Sequence, residues 1–448
     1  MASKELTAGK PLGLILGFMF PVFLGNIFQQ FYHFFDALIV GRTLGIKSLA
    51  AVGATTPLIF LVISFIFAST QGFSVITAQK FGARDYDMVK KSLASSLILS
   101  GLLTLILTFV ATPLTHWFLK ILNTPSDILS ISSDYLFIMF VGIFATVFYN
   151  VSSNIIRALG DSKTPLYFLI FSTIMNIVMD LIFILYFGWG IKGVAWATVC
   201  AQGISTILAL SYMFWKFPIL RLKKSDWKVS KNLLMEHLNV GIPMGFQMSV
   251  LTLGMIVLQF VLNGFGSSAI AAFTTSMRVD QLFSQAFLAL GATMAVYTAQ
   301  NFGAKKMSRI KEGTKIAFSI VSLISVFSIC VIYMFSETMI GWFMAENDPE
   351  VLTLAIQYLH IIVIFFIFLG LLMLFRNILQ GMGQVKVPLI SGFAELFARG
   401  GCALLFGHYF GYLGICYASP AAWVSAAIVL YIGYKISLVK HIENLKVL

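Results

Sequence analysis

Charge is scarce in this sequence. Only 11% of its 448 residues are Asp, Glu, Lys or Arg, while 59% are hydrophobic and mean hydropathy is +0.91. A soluble chain of this size would carry roughly a quarter charged residues, so a soluble globular class is excluded. Cysteine is almost as rare: Cys200, Cys330, Cys402 and Cys416 all fall in apolar stretches, with no CxxC pair. That spacing argues against structural disulfides and zinc sites. The six histidines (33, 116, 237, 360, 408 and 441) are scattered, and no HExxH, GxSxG or GxxxxGK[ST] stretch is present. Hydrolases and nucleotide-driven pumps lose their usual signatures, and the polar connections are too short for a nucleotide-binding domain. An enzyme is not expected.

Long apolar runs take up the rest of the chain. An α-helix needs about 20 residues to cross the hydrocarbon core, and twelve candidate spans can be read: 12–40, 50–78, 93–118, 133–156, 165–187, 193–215, 238–262, 270–299, 313–342, 352–379, 388–410 and 414–436. The polar start MASKELTAGKP leads straight into the first span, without a small-residue cleavage site. The net charge of +12 is unevenly spread. Alternate connections (Lys80 to Lys91, Arg157/Lys163, Lys216 to Lys231, Lys305 to Lys315, Arg376/Lys386) and the two termini hold 24 of the 30 basic residues. The opposite side holds Arg42, Lys47, Lys120 and Lys192, with the acidic run Glu346, Asp348 and Glu350. The positive-inside rule then places both termini and the central linker in the cytoplasm. The basic excess is a topology signal with scope for contact to anionic lipids, and no nucleic-acid partner is implied.

The two halves repeat each other. LAAVGATT…ITAQKFGARD answers IAAFTTSM…YTAQNFGAKK, and NIIRALGDSKTPL answers NILQGMGQVKVPL, at an offset of 221 to 223 residues. Six spans per half is an even number, so both halves enter the membrane in the same direction. The expected fold is all-α and polytopic: twelve transmembrane helices in two six-helix lobes related by a parallel pseudo-twofold repeat, with a cavity between them. The domains are an amino lobe over 1–215, a cytoplasmic linker over 216–236 and a carboxyl lobe over 237–448. FGARD and FGAKK read as helix ends at a glycine, and ALGDSKTP and GMGQVKVP likewise, with proline restarting the next helix.

Asp36, Asp180, Asp280 and Glu395 are acids inside spans. Each costs about 2.5–3.5 kcal/mol at a helix centre, and such residues usually face a bundle interior. With the first and fifth spans running outward, Asp36 sits about 9 Å and Asp180 about 13 Å below the outer end at the helical rise. Thr198 starts the sixth span at similar depth, Asn176 shares the face of Asp180, and Gln29 and Tyr32 share that of Asp36. Two readings fit this level: a satisfied structural hydrogen-bond cluster, or a proton or cation site in which two carboxylates in oil share a charge. Pro21 removes a backbone hydrogen bond and is expected to bend the first helix. The second half lacks the cluster, with Val257 or Leu258 at the place of Asp36 and Ala403 at that of Asp180. Asp280 lies two residues from Arg278, and Glu395 lies four before Arg399, a spacing suited to a salt bridge within one helix.

In P…QQFYHFFDALIVGRTLG, AAVGATTP, AQKFGARD, RALGDSKTP, NIVMD and GVAWAT the chain resembles the bacterial branch of the multidrug and toxic compound extrusion (MATE) family. The resemblance implies a secondary antiporter that exports organic, often cationic and amphipathic compounds in exchange for H⁺ or Na⁺ by alternating access. Carried over by residue, the amino-lobe cation site is Asp36, Tyr135, Asn154, Asn176, Asp180 and Thr198, with Na⁺ at Asp36 and Asp180 where sodium is the coupling ion. Asp280 is a partial counterpart in the carboxyl lobe, with Glu395 and Arg399 as further polar residues there. No cofactor is implied. The partners are small amphipathic molecules and membrane lipids, the unit is a monomer, and the location is the plasma membrane. The chain has 43 Phe and 19 Met, side chains that suit varied apolar cations, though most serve lipid contact and helix packing. The alternative is a flippase of lipid-linked oligosaccharide precursors, which would call for several cationic side chains in its cavity. Only Arg278 and Arg399 lie clearly within spans. A passive channel is disfavoured by the two-lobed repeat.

Overall fold

The computed structural model describes residues 5–344 and 348–446, with side chains as far as Val439. Glu346 of the acidic run lies outside the described residues. Among those described there is no strand. The first helix, α1 (Pro11–Gly82), is long enough for two crossings and is interrupted only at Gly45, with φ 80° and ψ −179°. The expected connection between the first two spans is thus helical apart from one residue. No Cβ tolerates that backbone geometry, so glycine marks the turn. Next come α2 (Tyr86–Ala111), the short α3 (Thr115–Ile121), α4 (Ser126–Val141), α5 (Ile143–Ala158), α6 (Lys163–Leu181) and α7 (Gly190–Lys216). The second half has α8 (Lys231–Leu262), α9 (Ser267–Gly303), α10 (Met307–Gly341), α11 (Pro349–Ile364), α12 (Phe366–Gly381), α13 (Lys386–Phe410), the short α14 (Tyr412–Cys416) and α15 (Ala418–Lys446). The pairs α4/α5 and α11/α12 are single broken spans, bent by 45° and 50°. With α1 counted as two crossings and each bent pair as one, the described residues make twelve spans.

The repeat is written in the backbone as well as in the side chains. Gly45 answers Gly266 (φ 87°), Gly160 (φ 89°) answers Gly383 (φ 77°), and Gly188 (φ 67°) answers Gly411 (φ 61°). In the FGARD and FGAKK turns the helices do stop at Gly82 and Gly303. The left-handed residues, however, are Arg84 (φ 60°) and Lys305 (φ 57°), two positions later. Side chains start the next helices where the chain offers them: Asp85 Oδ1 accepts from the Met88 amide at 3.1 Å, and Asp348 caps α11 ahead of Pro349.

The described chain forms two compact units. One comprises Glu5 and Leu24–Gly245, the other Leu6–Phe23 and the chain from Phe246 onward. Beyond the division after Glu5, the other two fall inside helices, each two residues after a proline: Pro21 in α1 and Pro243 in α8. The backbone is helical through Pro21. In the first unit α7 packs against α4, α5 and α6. The opening turns of α8 belong to this unit and are pinned there. Buried His237 receives Ser92 at 2.8 Å on Nε2, Ser92 meets Thr77 at 2.8 Å, and Gly241 lies so close to Gly72 that a Cβ on Gly72 would stand 2.5 Å from its Cα. The core of the second unit runs through Phe287, Phe366, Leu374, Tyr297 and Trp423. Its Leu6–Gly9 segment is held by Gln300, Asn301 and Arg309: the Leu6 amide donates to Gln300 Oε1 at 2.8 Å, and Arg309 Nη2 donates to the Gly9 carbonyl at 3.0 Å. Large apolar side chains such as Phe109 and Phe397 face outward, as a lipid-exposed surface requires.

Candidate cation site in the first unit

Four helices bring polar groups to one place. The first crossing of α1 carries Tyr32 and Asp36, α4 carries Tyr135, α6 carries Asn176 and Asp180, and α7 carries Thr198. Thr198 Oγ1 is the junction: it accepts from Tyr32 Oη and from Asn176 Nδ2, both at 3.4 Å. Its own proton remains to be donated. Asp180 is fully buried, and neither of its carboxylate oxygens has a hydrogen-bond partner; Asp36 Oδ1 and Asn176 Oδ1 are buried and unpartnered as well. Asp36 and Asp180 interact electrostatically, and both act on Tyr32 and on Tyr135, which is almost wholly buried. The apolar wall comprises Val40, Ile184, Val194 and Val199. Four acceptor oxygens without donors, two of them on one fully buried carboxyl, call for a proton or a cation, because a buried acceptor left unmatched is costly. Among the described residues no three His, Cys, Asp or Glu gather as a metal site.

The other sequence-derived residues lie apart from this cluster. Asn154, on α5, donates to Thr70 Oγ1 at 3.2 Å and accepts from Arg157 at 3.5 Å, contacts that belong to the α1–α5 packing. In the second unit Asp280 is buried, accepts from Ser284 Oγ at 3.1 Å, and acts on Tyr358, the repeat partner of Tyr135. Glu395 is a correction. Its ion pair is with Arg376 of α12, across to a neighbouring helix, and not with Arg399 one turn along its own. Arg376 itself was expected in a cytoplasmic connection. It is 5% exposed and inside the fold, because α12 continues to Gly381 before the chain turns. Arg278, expected beside Asp280, is exposed and forms no ion pair within 4 Å among the described residues.

A family model described as MatE matches residues 21–182 and 243–399. The chain belongs to the MATE family. The two matched segments begin at Pro21 and Pro243, so the family model follows the repeat. "Probable multidrug resistance protein YpnP" of Bacillus subtilis (strain 168) is 28% identical over 440 residues, covering 97% of each chain. "Multidrug export protein MepA" of Staphylococcus haemolyticus (strain JCSC1435) is 23% identical over 425 residues, 94% of this chain and 93% of that protein. A crystal structure of MATE in complex with MaL6 superposes with a TM-score of 0.91 at 24% identity, covering 98% of both chains. An outward-facing multidrug resistance MATE transporter of the MOP superfamily gives 0.91 at 24%, over 99% of this chain and all of that one. At such identity these structures speak for the fold.

One feature of this MATE chain had no signal in the sequence. Directly after Asp180 the helix loosens into a π-helical turn, Ile182–Tyr186. Phe183 of this turn packs at a tilt against Phe187 and Trp189, which stack on each other. Such turns recur beside functional sites because they shift the phase of a helical face. Here the shift follows the acid whose two oxygens are unpartnered.

Proposed function

We propose that this MATE protein is a secondary antiporter that exports organic, often cationic and amphipathic compounds in exchange for H⁺ or Na⁺. Export of small molecules is supported by the bacterial relatives, which are named as multidrug resistance and multidrug export proteins. The coupling reading is carried by one observation: the buried, donor-less oxygens of Asp36, Asn176 and Asp180 around the Thr198 junction. Two carboxyls this close in a low-dielectric setting resist ionising together, so a proton or Na⁺ entering from outside is held strongly. Loading changes which hydrogen bonds Tyr32 and Thr198 make, and Tyr32 and Asp36 ride on the helix that carries Pro21. Access then alternates between the two faces of the membrane as the acids load and unload. The charge distribution along the chain supports a multi-pass protein with both termini cytoplasmic, and we propose that it works as a monomer in the plasma membrane.

The test is efflux from proteoliposomes with pH and sodium gradients imposed separately. One gradient alone should drive uphill export, and Asp36→Asn should bring it to background while the protein folds and inserts normally. Normal uphill pumping by Asp36→Asn would remove the coupling role. Movement that ignores both gradients would favour a passive route or a flippase.

A further inference from the structure

The first unit gathers negative oxygens; the second does the reverse. Arg376 on α12 and Arg399 on α13 are each 5% exposed, and both act on Glu395 of α13, which is 3% exposed. Arg376 Nη2 donates to Glu395 Oε1. Arg399 forms no ion pair within 4 Å among the described residues, and Nε of both arginines is buried without an acceptor. Guanidinium does not give up its proton in a protein. Two permanent positive charges therefore face one carboxylate, and the excess is buried. Room for it is built in: a Cβ at Gly254 of α8 would come within 3.2 Å of Arg399 Nη1, so the guanidinium lies over bare backbone. A purely structural ion pair needs one arginine for one glutamate. The second arginine, with its unused N–H, presents a flat fork that matches two oxygens of a carboxylate or phosphate.

We propose that Arg376, Glu395 and Arg399 form an oxyanion-binding site in the second unit that takes the carboxylate or phosphate group of an otherwise apolar molecule. Arg399 makes the contact, and Arg376 is a positioning residue that holds Glu395 aside. The inference rests on the export reading and narrows it: the preferred substrates carry an anionic group, so amphiphiles that are zwitterionic or anionic are exported better than simple cations.

The experiment measures binding to the full chain in detergent, with the fluorescent carboxylate N-dansylglycine and its neutral amide as probes. The carboxylate should bind about tenfold more tightly than the amide, the size expected of a charge-assisted fork contact. Arg399→Gln should erase most of that preference, and Arg399→Lys should keep a part of it, which controls for folding. Glu395→Gln still accepts the Arg376 hydrogen bond but drops the competing charge, so it should tighten carboxylate binding several-fold. A cluster with only a structural role would change thermal stability in these variants without moving the carboxylate-to-amide ratio, and that result overturns the proposal. Soluble dihexanoyl phosphatidic acid is the second arm. Displacement of bound N-dansylglycine by it, or its binding where N-dansylglycine does not bind, supports the site and identifies a phosphate headgroup as a ligand. Binding of N-dansylglycine without displacement supports it and points to free organic anions. Binding of neither probe overturns it. These assays need no transport, so efflux that ignores both ion gradients would sink the antiport reading and leave this one standing.

Discussion

Thr198 is the hub of the proposed coupling site. Its hydroxyl receives Tyr32 and Asn176 and keeps one proton for a carboxylate. Thr198→Val keeps the shape and removes both acceptances, leaving two buried donors unmet at a cost of roughly 1–3 kcal/mol each. We expect lower thermal stability and at least a tenfold loss of ion-driven efflux, read by melting in detergent and by proteoliposome flux. The arginine pair of the second unit behaves differently. Arg376→Ala removes the hydrogen-bonded partner of Glu395 but leaves Arg399 as its counter-charge and should destabilise by about 1–3 kcal/mol, whereas replacing Arg376 and Glu395 together with Met leaves Arg399 buried without an acid and should cost about 3–5 kcal/mol. A double-mutant melting series distinguishes these outcomes. That pairing was not legible beforehand: Glu395 and Arg399 have the spacing of a salt bridge on one helix, and Arg376 sits next to a basic turn. Which arginine the glutamate meets depends on how α12 and α13 lie side by side.

Among the elements, the bent span α4/α5 is the most informative. Its 45° break falls at Gly142, where a Cβ would stand 2.2 Å from Val199 Cγ2 of α7. Val199 follows Thr198, so this contact sets the distance between the helix of Tyr135 and that of the junction residue. Gly142→Ala should overpack the contact and cost about 1–3 kcal/mol, and Val199→Ala in the same chain should restore the melting temperature. The helix α8 offers a second test. Ser92→Ala removes the hydroxyl that ties His237 to α2, leaves a buried ring nitrogen without its partner, and should lower stability by about 1–3 kcal/mol. Faster hydrogen exchange over the first turns of α8 would mark the loosened segment.

On the scale of the molecule, two halves of common sequence pattern have taken opposite chemistry. The first unit presents acceptor oxygens and the second an excess of buried guanidinium, on backbones that share three pairs of corresponding glycine turns. The fold is therefore held by the shared turns and packing, and the sites are free to diverge on it. The basic residues should hold the whole chain in one orientation. Reporter fusions at the two ends of the protein are expected to score on the cytoplasmic side, and a split result would contradict the topology. Adding two lysines near Trp189, on the outer face, should reduce insertion in the correct sense.

The sequence by itself determined the membrane class, the twelve crossings and the repeat. Each of these follows from terms that act locally along a chain: the cost of charge in hydrocarbon, the rise of a helix, and turn residues kept at a fixed offset. It also gave the residues of the Thr198 junction, because spacings of three and four put them on one face. Only the tertiary structure decided that Asn154 belongs to the Thr70 contact, that Arg376 takes Glu395, that a π-helical turn follows Asp180, and that the compact units divide within α1 and α8. Those outcomes depend on which helices lie against each other, and no property of a single helix specifies its neighbour.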